Sequence, residues 1–88
     1  MKYKMNTTKA LLASIKIEKN EDGFLAKIPG IQGAFAEGDT IDEALFNCVD
    51  VMKMIMDYRK ERGESLGFNE FKFTKNTSMT FAIPIGIT

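Results

Sequence analysis

The chain has 88 residues, 44% apolar and 27% charged, which is the composition of one small globular domain and excludes a disordered tail. Twelve basic residues balance twelve acidic ones, so the chain lacks the net positive field that a nucleic-acid backbone usually requires, and only local patches remain. No apolar run approaches the roughly 20 residues that cross a bilayer, no leader-like segment opens the sequence, and the lone Cys48 excludes an internal disulfide; a cytoplasmic, non-membrane protein is expected.

The first ten residues, with Lys2, Lys4 and Lys9, read as a basic, frayed terminus. Residues 11–19 alternate Leu11, Ala13, Ile15 and Ile17 against Leu12, Ser14, Lys16 and Glu18, the period of two of a strand with one covered face. Asn20-Glu21-Asp22-Gly23 predicts a hairpin, because Asp-Gly suits turns in which glycine takes a positive φ. A second strand over 24–28 ends at Pro29, which has no N–H for a ladder. After a turn over 30–33, residues 34–37 predict a short third strand closed by Gly38.

Thr40-Ile41-Asp42-Glu43 is a capping box, with the Thr40 hydroxyl accepting the Glu43 N–H and the Glu43 carboxylate reaching back to the Thr40 N–H. It predicts a helix of about 22 residues, ended by Gly63 as the C′ residue. Ile41, Ala44, Leu45, Cys48, Val49, Val51, Met52, Ile55 and Met56 form one apolar arc, and Asp42, Asp50, Lys53, Asp57 and Lys60 lie opposite. Residues 64–78 are irregular, with a short-strand candidate at 71–73. Residues 79–87 alternate again and predict the last strand, with Pro84 on the opposite parity confining it to an edge or to one-sided pairing.

The order is βββαβ, an α+β two-layer domain spanning 1–88. Three antiparallel strands lead into one long crossover helix on one sheet face, and the last strand returns beside the first and parallel to it, making the sheet mixed.

The stretch 22–45 carries a resemblance. Asp22, Gly23, Phe24, Ala26, Pro29, Ile31 and Gly33, followed by Gly38, Asp39, Thr40, Glu43, Ala44 and Leu45, match a D-G-aromatic-x-A-x-x-P-x-Leu/Ile-x-G segment and a G-D-T-x-x-E-A-L segment. This pattern resembles the signature of the HicB family, the antitoxin half of a bacterial toxin–antitoxin pair, and the resemblance covers residues 11–62. It implies a partial RNase H-like fold and a non-catalytic antitoxin of a type II pair. The implied partner is a HicA-like toxin, a small basic mRNA interferase whose catalytic histidine and RNA surface the antitoxin occludes. Two positions depart from the pattern: Gly30 stands where the family often has an acid, and Ala34 where a cysteine is common. Many members also carry a C-terminal ribbon-helix-helix or helix-turn-helix domain. There is no room for one before Thr88, so promoter DNA binding is not expected.

Catalysis finds little support in the residues. An RNase H-type nuclease needs carboxylates on the central strand, the helix and the returning strand to bridge metal ions, yet the first strand's centre and 79–87 have none and Glu43 stands alone. There is no histidine. Cys48 lies on the apolar arc as a structural thiol without a base. Gly30 to Gly33 opens no helix and precedes no lysine, unlike a phosphate loop, and Glu21-Asp22 lacks calcium-loop spacing. No catalytic residue, cofactor or metal site is expected.

Binding is the better-supported class. Asp42, Asp50 and Asp57 outnumber Lys53 and Lys60 on the helix's outer face, and Glu37 and Asp39 add charge near its start, giving a face that would steer a basic partner; the same charges also suit a plain solvated surface. Phe46 falls among these aspartates, either as an interface anchor or as a lone exposed aromatic. Met54 and Tyr58 border the arc, as a subunit contact or as cover for the sheet rim. The tract Phe68, Phe71, Lys72, Phe73, Lys75 interleaves aromatics and cations as single-stranded nucleic acid binders do, but a domain this small needs those rings in its core. A homo-oligomer, dimer or tetramer, is expected, since it would cover strand edges. The second reading is an orphan protein-interaction or RNA-binding module of the same fold, without a toxin partner.

Overall fold

The computed structural model describes residues 9–65 and 69–87. In chain order these form β1 (Lys9–Leu12), β2 (Lys16–Lys19), β3 (Phe24–Lys27), β4 (Phe35–Gly38), α1 (Ile41–Glu61) and β5 (Asn69–Lys72). Strands β2, β3 and β4 make an antiparallel sheet in that order, while β1 pairs antiparallel with β5 in a second, two-stranded sheet. The α+β class holds, with one long helix laid on a sheet.

The strand expected over 11–19 is divided, and residues 13–15 belong to neither sheet. Ladder geometry explains the break. The Asn20 N–H donates to the Gly23 carbonyl at 2.9 Å, and the register places Lys16 opposite Lys27. Bonded pairs alternate along an antiparallel ladder, so the next one would join Ser14 to Pro29, which has no N–H to give. The chain leaves β3 there and takes β5 as its partner. Lys9 and Ala10 are therefore in a strand and not in a frayed end; Lys2 and Lys4 lie outside the described residues.

Residues 79–87 join no sheet, and all are exposed. The strand that returns after the helix is β5, antiparallel to β1, so neither sheet holds the parallel pair that was expected. Phe71 and Phe73 are half-buried and meet edge to face, centroids 4.9 Å apart, but they are not part of the main core cluster. Phe68 lies outside the described residues.

The helix follows its sequence signals closely. The Thr40 Oγ1 accepts the Glu43 N–H at 3.1 Å, and the Glu43 carboxylate reaches one residue beyond the expected place, accepting the Asp39 N–H at 2.6 Å. At the other end the Gly63 N–H donates to the Lys60 carbonyl and the Glu64 N–H to that of Arg59, with Gly63 at φ 71°. This is a Schellman motif.

Ala26, Ile28, Ala34, Ala44, Cys48 and Met52 form the buried core, flanked by half-buried Ile15, Ile17, Phe24, Ile31, Ala36, Ile55 and Met56. Three of the six are alanines, so α1 approaches the sheet closely. The approach is tightest where the glycines lie: a Cβ on Gly23 would sit 2.5 Å from the Gly38 carbonyl oxygen, and one on Gly38 would strike the backbone of Glu43 and Ala44. Gly23 does not take the positive φ expected of it; it is glycine because β4 and the helix start leave no room for a side chain. Gly23, Gly38 and Ala44 all belong to the signature quoted above, and here they set one backbone-to-backbone contact.

Candidate partner-binding face

The same contact builds a cleft. The register of β3 against β4 pairs Phe24 with Gly38, which brings the β2–β3 hairpin beside the start of α1. Glu21 and Asp22 from the hairpin, Glu37 and Asp39 from the end of β4, and Glu43 from the first helical turn surround an open cleft of about 580 Å³. Among the described residues, no basic side chain lines it. The Lys19 ammonium lies 5.4 Å from the centre of the Phe24 ring and donates to the Asn20 carbonyl at 2.6 Å. Among the described residues, no group of three or more histidine, cysteine or acidic side chains is placed to hold a metal ion, so the cleft's carboxylates do not converge on one ion.

The outer face of α1 continues from this cleft. Phe46 is 56% exposed, as its place on the helical wheel requires, with exposed Asp50 and Asp57 and half-buried Asp42 on the same side. All six expected partner-binding residues, Glu37, Asp39, Asp42, Phe46, Asp50 and Asp57, thus lie on or beside this helix, four of them on its outer face and two at the cleft. Sequence reasoning missed the contribution of Glu21 and Asp22. The signal was present but indirect: the hairpin acids join the cleft only through the β3–β4 register.

A second exposed strip runs along one side of the helix. Met54 and Tyr58 are 64% and 59% exposed, and with Val51, Ile55 and Gln32 they line a shallow groove. The Arg62 guanidinium lies over the Tyr58 ring, 5.4 Å from its centre, while its Nε donates to Glu64 at 2.8 Å. Phe35 on β4 is also largely exposed, which strand alternation alone did not reveal.

Cys48 sits at the core's centre, fully buried, its Sγ 3.9 Å from the Ala34 carbonyl. Burial pushes its thiol above the usual value, because a thiolate there would be poorly solvated. Glu18, on the solvent face of the three-stranded sheet, is 3.3 Å from Lys16 and 3.5 Å from Lys27. Its hydrogen bond with Lys16, and then the charge of Lys27, hold its carboxyl below the usual range.

No helix among the described residues is long and apolar enough to cross a membrane. No protein-family model matches the chain, and no solved structure matches it. An uncharacterised 14.9 kDa protein in the rep–hol intergenic region of Haemophilus phage HP1 (strain HP1c1) is 34% identical to it over 56 residues, a span of 64% of this chain and 42% of the phage protein. The chain therefore spans less than half the length of that relative.

Proposed function

We propose that this chain is a non-catalytic, cytoplasmic antitoxin of a type II toxin–antitoxin pair, which binds and occludes a HicA-like mRNA interferase. The observation that carries the reading is the carboxylate-lined cleft, with no basic side chain among the described residues, beside the outer face of α1 that displays Phe46. Such a surface suits a small basic protein: the charges steer the encounter and the exposed ring offers an apolar anchor. It repels a phosphate backbone, which speaks against RNA as the ligand of this face. The signature residues of the resemblance shape the same place, since Gly23 and Gly38 bring the hairpin against the helix start.

The test is co-expression with the product of the adjacent gene, followed by affinity capture and a growth assay. The expected outcome is a stable complex that restores growth, with Phe46→Ala and Asp50→Lys each weakening the complex and the rescue. Absence of both a partner and toxicity would overturn the reading in favour of an orphan interaction module.

A further inference from the structure

Beyond the partner face, the described residues include an apolar segment that joins no sheet and a strand edge that receives no bond, and the two match one another. Residues 79–87 place Met79, Phe81, Ile83, Ile85 and Ile87 at alternate positions, with exposures from 41% at Met79 to 91% at Ile87. This is a strand-like apolar face that covers nothing in its own sheets. Its far end rests against the first turn of α1, where a Cβ on Gly86 would lie 3.5 Å from the Asp42 carboxylate.

The receiving edge is β2. Bonded pairs in this sheet are fixed by two hydrogen bonds, Asn20 N–H to Gly23 and Ile28 N–H to Ala34. By ladder alternation, Lys16 and Glu18 bond inward to β3, and the backbone groups of Ile17 and Lys19 point outward. No described residue bonds to that outer edge. The opposite edge of the sheet is partly capped by contrast: on β4, the Asn47 side chain donates to the Glu37 carbonyl at 3.0 Å and the Phe35 N–H donates back to Gly33. Beyond the start of β2, a groove of about 370 Å³ is lined by Ala10 and Leu11 of β1, by Ile15 and Ile28, and by Met52 and Met56 of the helix among others. Its lining is mostly apolar, which suits the apolar side chains of an incoming segment.

We infer that residues 79–87 of a second copy of this chain pair with the outer edge of β2 and fill this groove, and that the exchange is reciprocal. The inference deepens the reading of the chain as a homo-oligomer. Pro84 supports the polarity. Alternate residues of a strand bond to opposite edges, so the odd-numbered residues 79–87 can face β2 with every N–H intact, and Pro84 falls on the outer side. A proline there blunts the new edge, so the assembly closes at two copies and does not extend into a fibre. Each copy contributes nine donor residues, the four of β2 and the ten lining the groove. That is within the about 20–30 residues a side of a standard stable interface.

The experiment is sedimentation and light scattering of the full chain alone, with no toxin partner present, so its outcome is independent of the antitoxin reading. Wild type is expected at twice the 9.9 kDa chain mass. A donor variant, Ile83→Asp with Ile85→Asp, and a receiver variant, Lys19→Pro, are each expected to dissociate at least tenfold more readily while keeping the wild-type circular dichroism spectrum. Met56→Glu serves as the receiver variant if Lys19→Pro loses that spectrum. Mixing donor and receiver variants is expected to restore a dimer, because one intact tail then meets one intact edge. A wild-type monomer at the highest soluble concentration, a dimer indifferent to both variants, or a mixture that stays monomeric would each overturn the inference.

Discussion

A methyl group added at Gly38 would meet the backbone of Glu43 and Ala44, atoms that cannot rotate out of its way. Gly38→Ala is therefore expected to cost about 1–3 kcal/mol, the range for overpacking a close contact, read as a lower urea midpoint with an unchanged slope. Phe46→Ala should leave the same midpoint within about 0.5 kcal/mol, as for other exposed positions away from packing, while weakening partner capture. The contrast separates a residue that builds the surface from one displayed on it. Cys48 adds a pH dependence. Its thiol is raised in the folded chain, so the stabilising contribution is full below the ordinary thiol value and is lost as pH rises through the shifted one. Thermal unfolding should show an alkaline fall that Cys48→Ala removes. Glu18 acts at the other end of the scale: its lowered carboxyl contributes above the ordinary carboxylate range, and the contribution disappears as pH drops through the lowered value. Added salt should shrink that acidic limb, because the group is on the surface.

Among the elements, the helix was the most legible in the sequence, since its cap, apolar arc and terminating Gly63 are local signals that need no knowledge of the rest of the chain. Thr40→Ala should cost about 1 kcal/mol, and Thr40→Ser should recover most of it. The strands were legible as alternation but not as pairings. A period of two says which face is apolar and leaves open which edge receives it, so residues 11–19 read as one strand although Pro29 ends their ladder, and 79–87 read as a sheet member although they join none. The cleft was half legible for the same reason: Glu37 and Asp39 stand next to the helix in sequence, whereas Glu21 and Asp22 reach it only through the register of Phe24 with Gly38. Asn47 belongs at this scale too. Its side chain occupies the Glu37 carbonyl on the free edge of β4, and Asn47→Ala is expected to increase self-association through that edge, measurable as concentration-dependent light scattering.

For the molecule as a whole, zero formal charge conceals an uneven distribution. The carboxylates gather where the hairpin, β4 and the helix start meet, so a basic protein would experience a local field that the sum does not report. The association rate with such a partner should fall steeply as salt rises and the Debye length shortens from about 10 Å at 0.1 M to about 3 Å at 1 M, whereas the dissociation rate should change little; stopped-flow mixing at several ionic strengths separates the two.

The contact of Gly23 with Gly38, and of Gly38 with the helix start, also bears on recognition. Backbone lies on backbone there, with no side chain between, so the floor of the cleft has no rotamers to settle when something binds. Fixing a free backbone residue costs about 1–2 kcal/mol, and at this floor folding has already met that cost. A partner would meet a preorganised frame that only the outer ends of its carboxylates need adjust, so differences among partners should appear chiefly in how long each stays bound.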